Sequence, residues 1–218
     1  MTVRDQFTDA ELEAIRAATQ RAEEETGGEL VCVIVNRSDT YLAPVWQAMA
    51  LGAVGGVAAA GMVHTITEIW GPNLLAWILL PALLGVILGS TTVWSLPPLR
   101  RWLVPAEVMR RRVDRRAATA FLDEEIFDTR DHTGVLLFVT LFEHQIRVLA
   151  DRGVEAHVAA ADWQPIVARL TNGLRSQSPG QAIVDAIDAC GTLLVERGVS
   201  RRSDDRNELE DEPRLLDE

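Results

Sequence analysis

The clearest feature of the hydrophobic pattern is a block of residues, 43–99, that contains one acidic residue and no Arg or Lys. Two apolar stretches within it, about 45–63 and 74–96, each reach the length of roughly 20 residues that an α-helix needs to cross a bilayer. The second stretch is rich in Leu, Ile and Val, whereas the first is mostly Ala and Gly. The pattern therefore predicts a transmembrane helical hairpin over residues 45–96.

Small residues recur along both apolar stretches. In the first they stand at every fourth position, and the second has a pair with the same spacing. They are Ala48, Gly52, Gly56, Ala60, Gly85 and Gly89. Ridges of small side chains let helices approach closely in a membrane. Two interpretations stay open: the helices pack on each other, or the Gly52/Gly56 and Gly85/Gly89 faces bind a membrane-protein partner or a second copy of the chain.

The flanks of the hairpin have the pattern of a soluble domain. Thr8 and Glu11 have the spacing of a capping box before an amphipathic helix, and residues 30–35 form an apolar run of strand length. After the hairpin, a helix from Pro105 to about residue 127, strands at 134–141 and 146–150, and helices opened by Asp162 and Ser178 are predicted.

These elements predict an α/β fold: a small layered domain of sheet and helices, interrupted by the two-helix transmembrane hairpin. The domain is predicted to consist of residues 5–40 and 105–198. Residues 199–218 are mostly polar and acidic, which predicts a disordered acidic tail.

Charge changes the picture in two ways. The net charge of −11 argues against nucleic acid as a partner, because such binding depends on neutralising phosphates. Arginines crowd residues 100–116 after the second stretch, while the loop at 64–73 has none. Since positive residues are retained on the cytoplasmic side, we expect a multi-pass protein of the inner (plasma) membrane with its N- and C-termini in the cytoplasm.

Acidic residues and a histidine surround the predicted strand pair. Because a hairpin brings its two ends together, residues before the first strand and after the second are expected to meet. The candidate catalytic residues are Asp131, His132 and Asp151, and the candidate ligands for Ca²⁺ or Mg²⁺ are Asp128, Asp131, Asp151 and Glu155. The alternative is turn chemistry, since Asp side chains commonly hydrogen-bond the backbone of turns.

The soluble part resembles the TPM domain family over residues 5–40 and 105–198. The matching stretches read FTDAELEAIRAATQRAEEETGGELVCVIV, RDHTGVLLFVTLFEHQIRVLADRGVE and WQPIVARL followed by GQAIVDAIDACGTLL. The resemblance implies either an accessory role beside a membrane complex or acid phosphatase activity. Family domains often carry Gly-aromatic-Gly-Leu/Val-Glu after the strand pair, whereas residues 151–155 here read Asp-Arg-Gly-Val-Glu. They also tend to lie outside the cytoplasm.

Two functions follow as expectations. The first is a membrane-anchored accessory or regulatory module that acts on another membrane complex through a cytoplasmic TPM-like domain. The alternative is a metal-dependent phosphatase that uses the carboxylate cluster, an activity implied by the resemblance alone because no nucleophile or phosphate-loop motif is present.

Overall fold

The computed structural model describes residues 2–67, 73–174, 178–199, 201 and 208–217. It divides into two compact units, one of residues 1–39 and 109–218 and the other of residues 40–108. The predicted fold class is confirmed, because a mixed α/β unit is interrupted in sequence by two long apolar helices. The predicted loop residues 68–72 and the tail residues 200, 202–207 and 218 lie outside the described part.

The α/β unit is built on a sheet of four strands in the order β3-β2-β1-β4. The strands are β1 (Glu29–Val35), β2 (Gly134–Thr140), β3 (Gln145–Ala150) and β4 (Arg214–Leu216). β1 and β2 run parallel in seven successive pairs, β3 is antiparallel to β2, and β4 is parallel to β1. Every residue of β1 and β2 is buried, as expected for parallel strands covered on both faces.

The described residues also form eight α-helices. In order they are α1 (Asp9–Glu25), α2 (Ala43–Thr67), α3 (Leu74–Ser95), α4 (Pro97–Leu103), α5 (Ala106–Asp123), α6 (Arg152–Glu155), α7 (Gln164–Gly173) and α8 (Pro179–Glu196). A short 3-10 turn at Arg4–Gln6 comes before α1. The short helices α4 and α6 are not predicted. They have 7 and 4 residues, which is too short to show a periodic hydrophobic pattern.

Two apolar cores lie on opposite faces of the sheet. Since side chains alternate along a strand, Leu30 of β1 packs with residues of α1, α7 and α8, whereas its neighbour Val31 packs with residues of α5. The first core is the larger and includes Ile187 of α8, while the second includes Val113 of α5. The unit is therefore a three-layer α/β/α arrangement.

Several helix boundaries follow local chemistry. Thr8 and Glu11 form the predicted capping box, with the Glu11 amide donating to Thr8 Oγ1 at 3.2 Å and the Thr8 amide to Glu11 Oε2 at 2.9 Å. The prediction that Asp162 caps a helix is wrong, because its carboxylate instead accepts from the Ala159 amide at 2.9 Å and Trp163 precedes the helix. α5 ends at Asp123 rather than near residue 127, since the chain turns at Glu125 with a φ of 51°.

The predicted disordered tail is wrong for its described part, residues 208–217. This segment supplies β4, which pairs with β1 in the register Val33↔Arg214 to Val35↔Leu216. Leu215 and Leu216 pack on opposite cores, and Arg214 Nε donates to Glu124 Oε2 at 2.9 Å. Strand pairing with β1, the two leucines and the Arg214–Glu124 ion pair therefore hold a segment whose composition is mostly acidic.

Carboxylates meet where this tail crosses the α/β unit. Glu23 Oε1 accepts from the Leu30 amide at 2.9 Å, and Gln20 Nε2 donates to Asp211 Oδ2 at 2.8 Å. The pKa of Glu23 is raised to about 9, mainly by burial and also by a side-chain hydrogen bond with Asp211 and the charge of Glu29, while the bond from the Leu30 amide acts to lower it. At neutral pH the folded chain therefore holds a proton on Glu23.

The second unit contains a hairpin of α2 and α3. Both helices are long enough and apolar enough to cross a membrane. In the most apolar stretch of each, only 6% is buried within the described structure. Their small residues face one another: a methyl group at Gly52 would collide with the Gly85 carbonyl, one at Gly56 with the Pro81 carbonyl, and one at Gly89 with the Ala48 carbonyl. The close-packing faces singled out in the sequence are thus occupied inside the hairpin.

Replacement of Glu23 by Gln should change how stability depends on pH. Folding takes up a proton on Glu23 between its ordinary pKa of 4.5 and the folded value of about 9, so this group's stabilisation is complete below pH 4.5 and is lost as the pH rises to about 9. Gln keeps an acceptor for Leu30 and a donor for Asp211 without titrating. Thermal unfolding in detergent should show a shallower loss of stability above pH 5 for Glu23→Gln.

The exposed neighbour Glu24 provides the control, since Glu24→Gln is the same replacement at a solvent-exposed carboxyl group. That variant should keep the wild-type pH profile. Parallel profiles for wild type and Glu23→Gln would show that Glu23 is ionised in the folded chain at neutral pH, contrary to the expectation.

Replacement of Gly52 by Ala should loosen the helical hairpin. The added methyl group meets the Gly85 backbone, and overpacking of this kind costs about 1–3 kcal/mol. Gly55→Ala is the matched control, because nothing lies within 4 Å of a methyl group there and Ala favours helix by about 0.5–1 kcal/mol. Thermal unfolding in detergent should rank Gly52→Ala below wild type and Gly55→Ala at or above it; equal effects would contradict the packing.

Candidate functional site

The candidate site lies at the edge of the sheet where β2 begins and β3 ends. The two strands are antiparallel, with Val135 opposite Ala150. The loop before β2 and the turn after β3 consequently meet, and the Asp151 amide donates to the Gly134 carbonyl at 2.9 Å. His132 belongs to the loop and Asp151 to the turn.

The His132 imidazole lies between the Asp151 carboxylate and the Arg152 guanidinium. Its Nδ1 is 3.0 Å from Asp151 Oδ2 and 3.2 Å from the Phe127 carbonyl oxygen, and its Nε2 contacts Arg152 Nη2. A guanidinium can only donate, so Nε2 accepts from Arg152, and Nδ1 carries the proton that is donated to Asp151. The imidazole is thus held by Asp151 on one side and by Arg152 on the other.

Local backbone geometry brings these side chains together. His132 adopts a left-handed conformation with a φ of 57°, after a turn in which its amide donates to the Thr129 carbonyl at 3.1 Å. Gly153 donates from its amide to the His132 carbonyl at 2.9 Å. A Cβ at Gly153 would collide with the carbonyls of Asp131 and His132, so this close approach requires glycine.

Asp151 has a second role as a helix cap. Its Oδ1 accepts from the Arg152 amide at 2.7 Å at the start of α6, while its Oδ2 accepts from His132. Its side chain is 15% exposed, compared with 36% for that of His132. Both carboxylate oxygens of Asp151 are thus engaged by groups of the protein itself.

The other predicted ligands lie on the surface. Asp128, Asp131 and Glu155 are exposed; the Asp128 amide donates to the Glu125 carbonyl at 2.8 Å, and Glu155 ends α6. Among the residues that the structure describes, no three His, Cys, Asp or Glu side chains are placed to hold a metal ion. The assignment of Asp128, Asp131, Asp151 and Glu155 as ligands for Ca²⁺ or Mg²⁺ therefore stays a prediction.

A buried carboxylate at the opposite edge of the sheet is missed by the sequence analysis. Glu143, in the turn between β2 and β3, is 1% exposed, and its Oε1 accepts from the Ser38 amide at 2.8 Å and from Ser38 Oγ at 2.6 Å. Ser38 follows β1, so these bonds join the ends of β1 and β2. A single acid in a hairpin turn carries no sequence signal for this role.

The part of the chain that contains the candidate site is similar to a known protein family. Residues 107–193 match the family model described as the TPM domain. This chain contains a TPM domain. The predicted resemblance is confirmed over residues 107–193, which run from α5 to α8 and include the His132–Asp151 pair. In the structure, β1 from before the hairpin completes the sheet of the TPM domain.

A solved structure supports the same fold. The chain is similar to the BA42 protein of the psychrophilic bacterium Bizionia argentinensis, known from NMR, with a TM-score of 0.56 and 16% sequence identity. The similarity covers 95% of this chain and 94% of that one. At this identity the likeness concerns the fold alone. No curated protein matches the chain.

Proposed function

We propose that the chain is a membrane-anchored accessory or regulatory module, in which the hairpin spans the bilayer and the TPM domain acts on another membrane protein complex. The observation that carries this proposal is the apolar surface of the hairpin. Large side chains such as Leu51 (74% exposed), Ile66 (75%) and Leu75 (68%) stand on its outside. Apolar surface of this extent is stable only against lipid or another protein.

The length of the two helices supports a span rather than a surface association. α2 has 25 residues and α3 has 22, and at about 1.5 Å per residue each exceeds the roughly 30 Å of a hydrocarbon core. The two helices also satisfy their own backbone hydrogen bonds, as a span must. The arginine-rich segment after α3 favours an inner (plasma) membrane location with both flanks of the hairpin in the cytoplasm.

The geometry of the candidate site favours an accessory role over catalysis. His132 Nε2 accepts from Arg152, and both Asp151 oxygens are engaged within the protein. A general base or a metal ligand would need one of these atoms directed at a substrate or an ion. The group serves to hold the loop before β2 against α6, which shapes a surface rather than a reaction centre.

Photocrosslinking in native membranes tests the accessory role. A photoreactive amino acid at Leu51 reports on the lipid-facing side of α2, and one at Phe127, which is 41% exposed beside the His132 loop, reports on the TPM domain. We expect a reproducible adduct with another membrane protein or a second copy from at least one position. The exposed position Glu196 at the end of α8 is the control. No reproducible adduct from Leu51 or Phe127 would contradict the proposal.

A phosphatase is the second candidate, favoured by the contact of His132 with Asp151 and Arg152. A phosphate ester that displaced His132 from Arg152 would meet a cation and a free imidazole nitrogen. Under the accessory proposal, the purified full-length protein should show no turnover of a phosphate ester with or without Ca²⁺ or Mg²⁺, or equal turnover in wild type, Asp131→Asn and His132→Asn. Turnover that falls by more than about 100-fold in His132→Asn would replace the accessory proposal by the enzyme.

A further inference from the structure

The outward face of α5 carries an arginine pair in a chain whose net charge is −11. Arginines crowd the first half of this helix, and some are held by acids: Arg112 Nε lies 2.9 Å from Asp39 Oδ2, and Arg116 Nη1 lies 3.9 Å from Asp123 Oδ2. Arg111 and Arg115 differ from these. Both are exposed, and within the described part of the chain neither makes an ion pair or a side-chain hydrogen bond.

The position of this pair on the helix follows from the helical period. The buried face of α5 consists of Met109, Val113, Ala117 and Ala120. At about 100° per residue, Arg111 and Arg115 lie opposite that face and next to each other, four residues apart. Ala118 and Leu122 continue the same stripe, and Leu122 is 61% exposed. The outward face, residues 111, 115, 118 and 122, therefore combines two cations with an exposed apolar side chain.

This combination matches the chemistry of an anionic membrane surface. Guanidinium groups bind phosphate oxygens in a fork and are weakly hydrated, so they enter a headgroup layer readily. An apolar side chain on the same helix face can reach the boundary of the acyl chains. Free nucleic acid offers phosphates too, but an acidic chain with two available arginines lacks the charge for that partner.

α5 follows the hairpin closely along the chain. Ten residues, 96–105, separate the end of α3 at Ser95 from the start of α5 at Ala106. The strongly acidic remainder of the chain would be repelled by anionic lipids, so a local basic stripe is needed for close contact with them. The occupant that fits is the lipid headgroup.

We propose that the outward face of α5, Arg111 and Arg115 with Leu122 beside them, binds the phosphate headgroups of anionic lipids in the membrane that holds the hairpin. The inference rests on the proposed membrane anchoring and adds the lipid class that the TPM domain recognises. Binding positions α5 at the headgroup layer and fixes which surface of the domain remains available to a partner.

The test uses the full-length protein in nanodiscs of phosphatidylcholine alone or mixed with phosphatidylglycerol. A fluorophore is attached at Ala118→Cys, since Cys32 (3% exposed) and Cys190 (0% exposed) are too buried to react in the folded chain. Lipids that carry a headgroup quencher report contact. We expect quenching to rise with phosphatidylglycerol and to disappear in about 1 M salt, where the Debye length is roughly 3 Å.

Arg111→Gln/Arg115→Gln should lower the ratio of docked to undocked helix roughly 25-fold, about fivefold for each arginine near an anionic surface. Arg16→Gln/Arg21→Gln on α1 removes the same charge and should leave quenching unchanged; these two arginines pair with Glu212 and Asp188. Quenching that is equal in both lipid mixtures, or that persists in the Arg111/Arg115 variant, would overturn the inference.

Alkaline carbonate extraction separates this failure from failure of the anchoring itself. A chain that is extracted from membranes overturns the proposed span together with the lipid contact. A chain that resists extraction but shows no response to phosphatidylglycerol retains its span and overturns the lipid contact alone.

Discussion

The parallel pairing of β1 with β2 is the contact on which the α/β unit depends. All seven residues of β1 pair with β2, although 98 residues (36–133) separate the two strands in sequence. Much of this separation consists of α2 and α3, which pack on each other. Close backbone contact at Gly52 and Gly85 keeps the inserted hairpin compact. The loop-closure cost of a long insertion grows slowly with its length.

Strong local patterns made most of this fold predictable, and weak ones did not. The continuous apolar runs of β1 and β2 and the Thr8 capping box carry their signals in adjacent residues. β4 carries none, because a strand of three residues among acids takes its stability from the β1 edge and from the cores that Leu215 and Leu216 reach. An edge of this kind is a property of the folded sheet and cannot be read along the chain.

The candidate site divides in the same way. The proximity of His132 and Asp151 follows from hairpin geometry, since residues that flank an antiparallel pair must meet. Whether a carboxylate can bind an ion or a substrate depends on which groups of the protein already occupy its oxygens. Asp151 accepts hydrogen bonds from the Arg152 amide and from His132. Glu143 is buried and accepts two hydrogen bonds from Ser38. Turn chemistry, the alternative to a metal site at the sequence level, accounts for Asp151 in the structure.

Acidic and basic side chains are clustered separately in this chain, and each cluster is neutralised in a different way. The tail brings Asp211 close to Glu23. Burial, the hydrogen bond with Asp211 and the charge of Glu29 raise the pKa of Glu23 to about 9, so that a proton neutralises this carboxyl group. On α5 the reverse holds, because Arg111 and Arg115 have no acid partner in the described part of an acidic protein. A proton can neutralise a buried carboxylate, but a guanidinium cannot lose its charge. The exposed arginine pair is free to bind an external anion, and in the proposed arrangement the anionic bilayer supplies one.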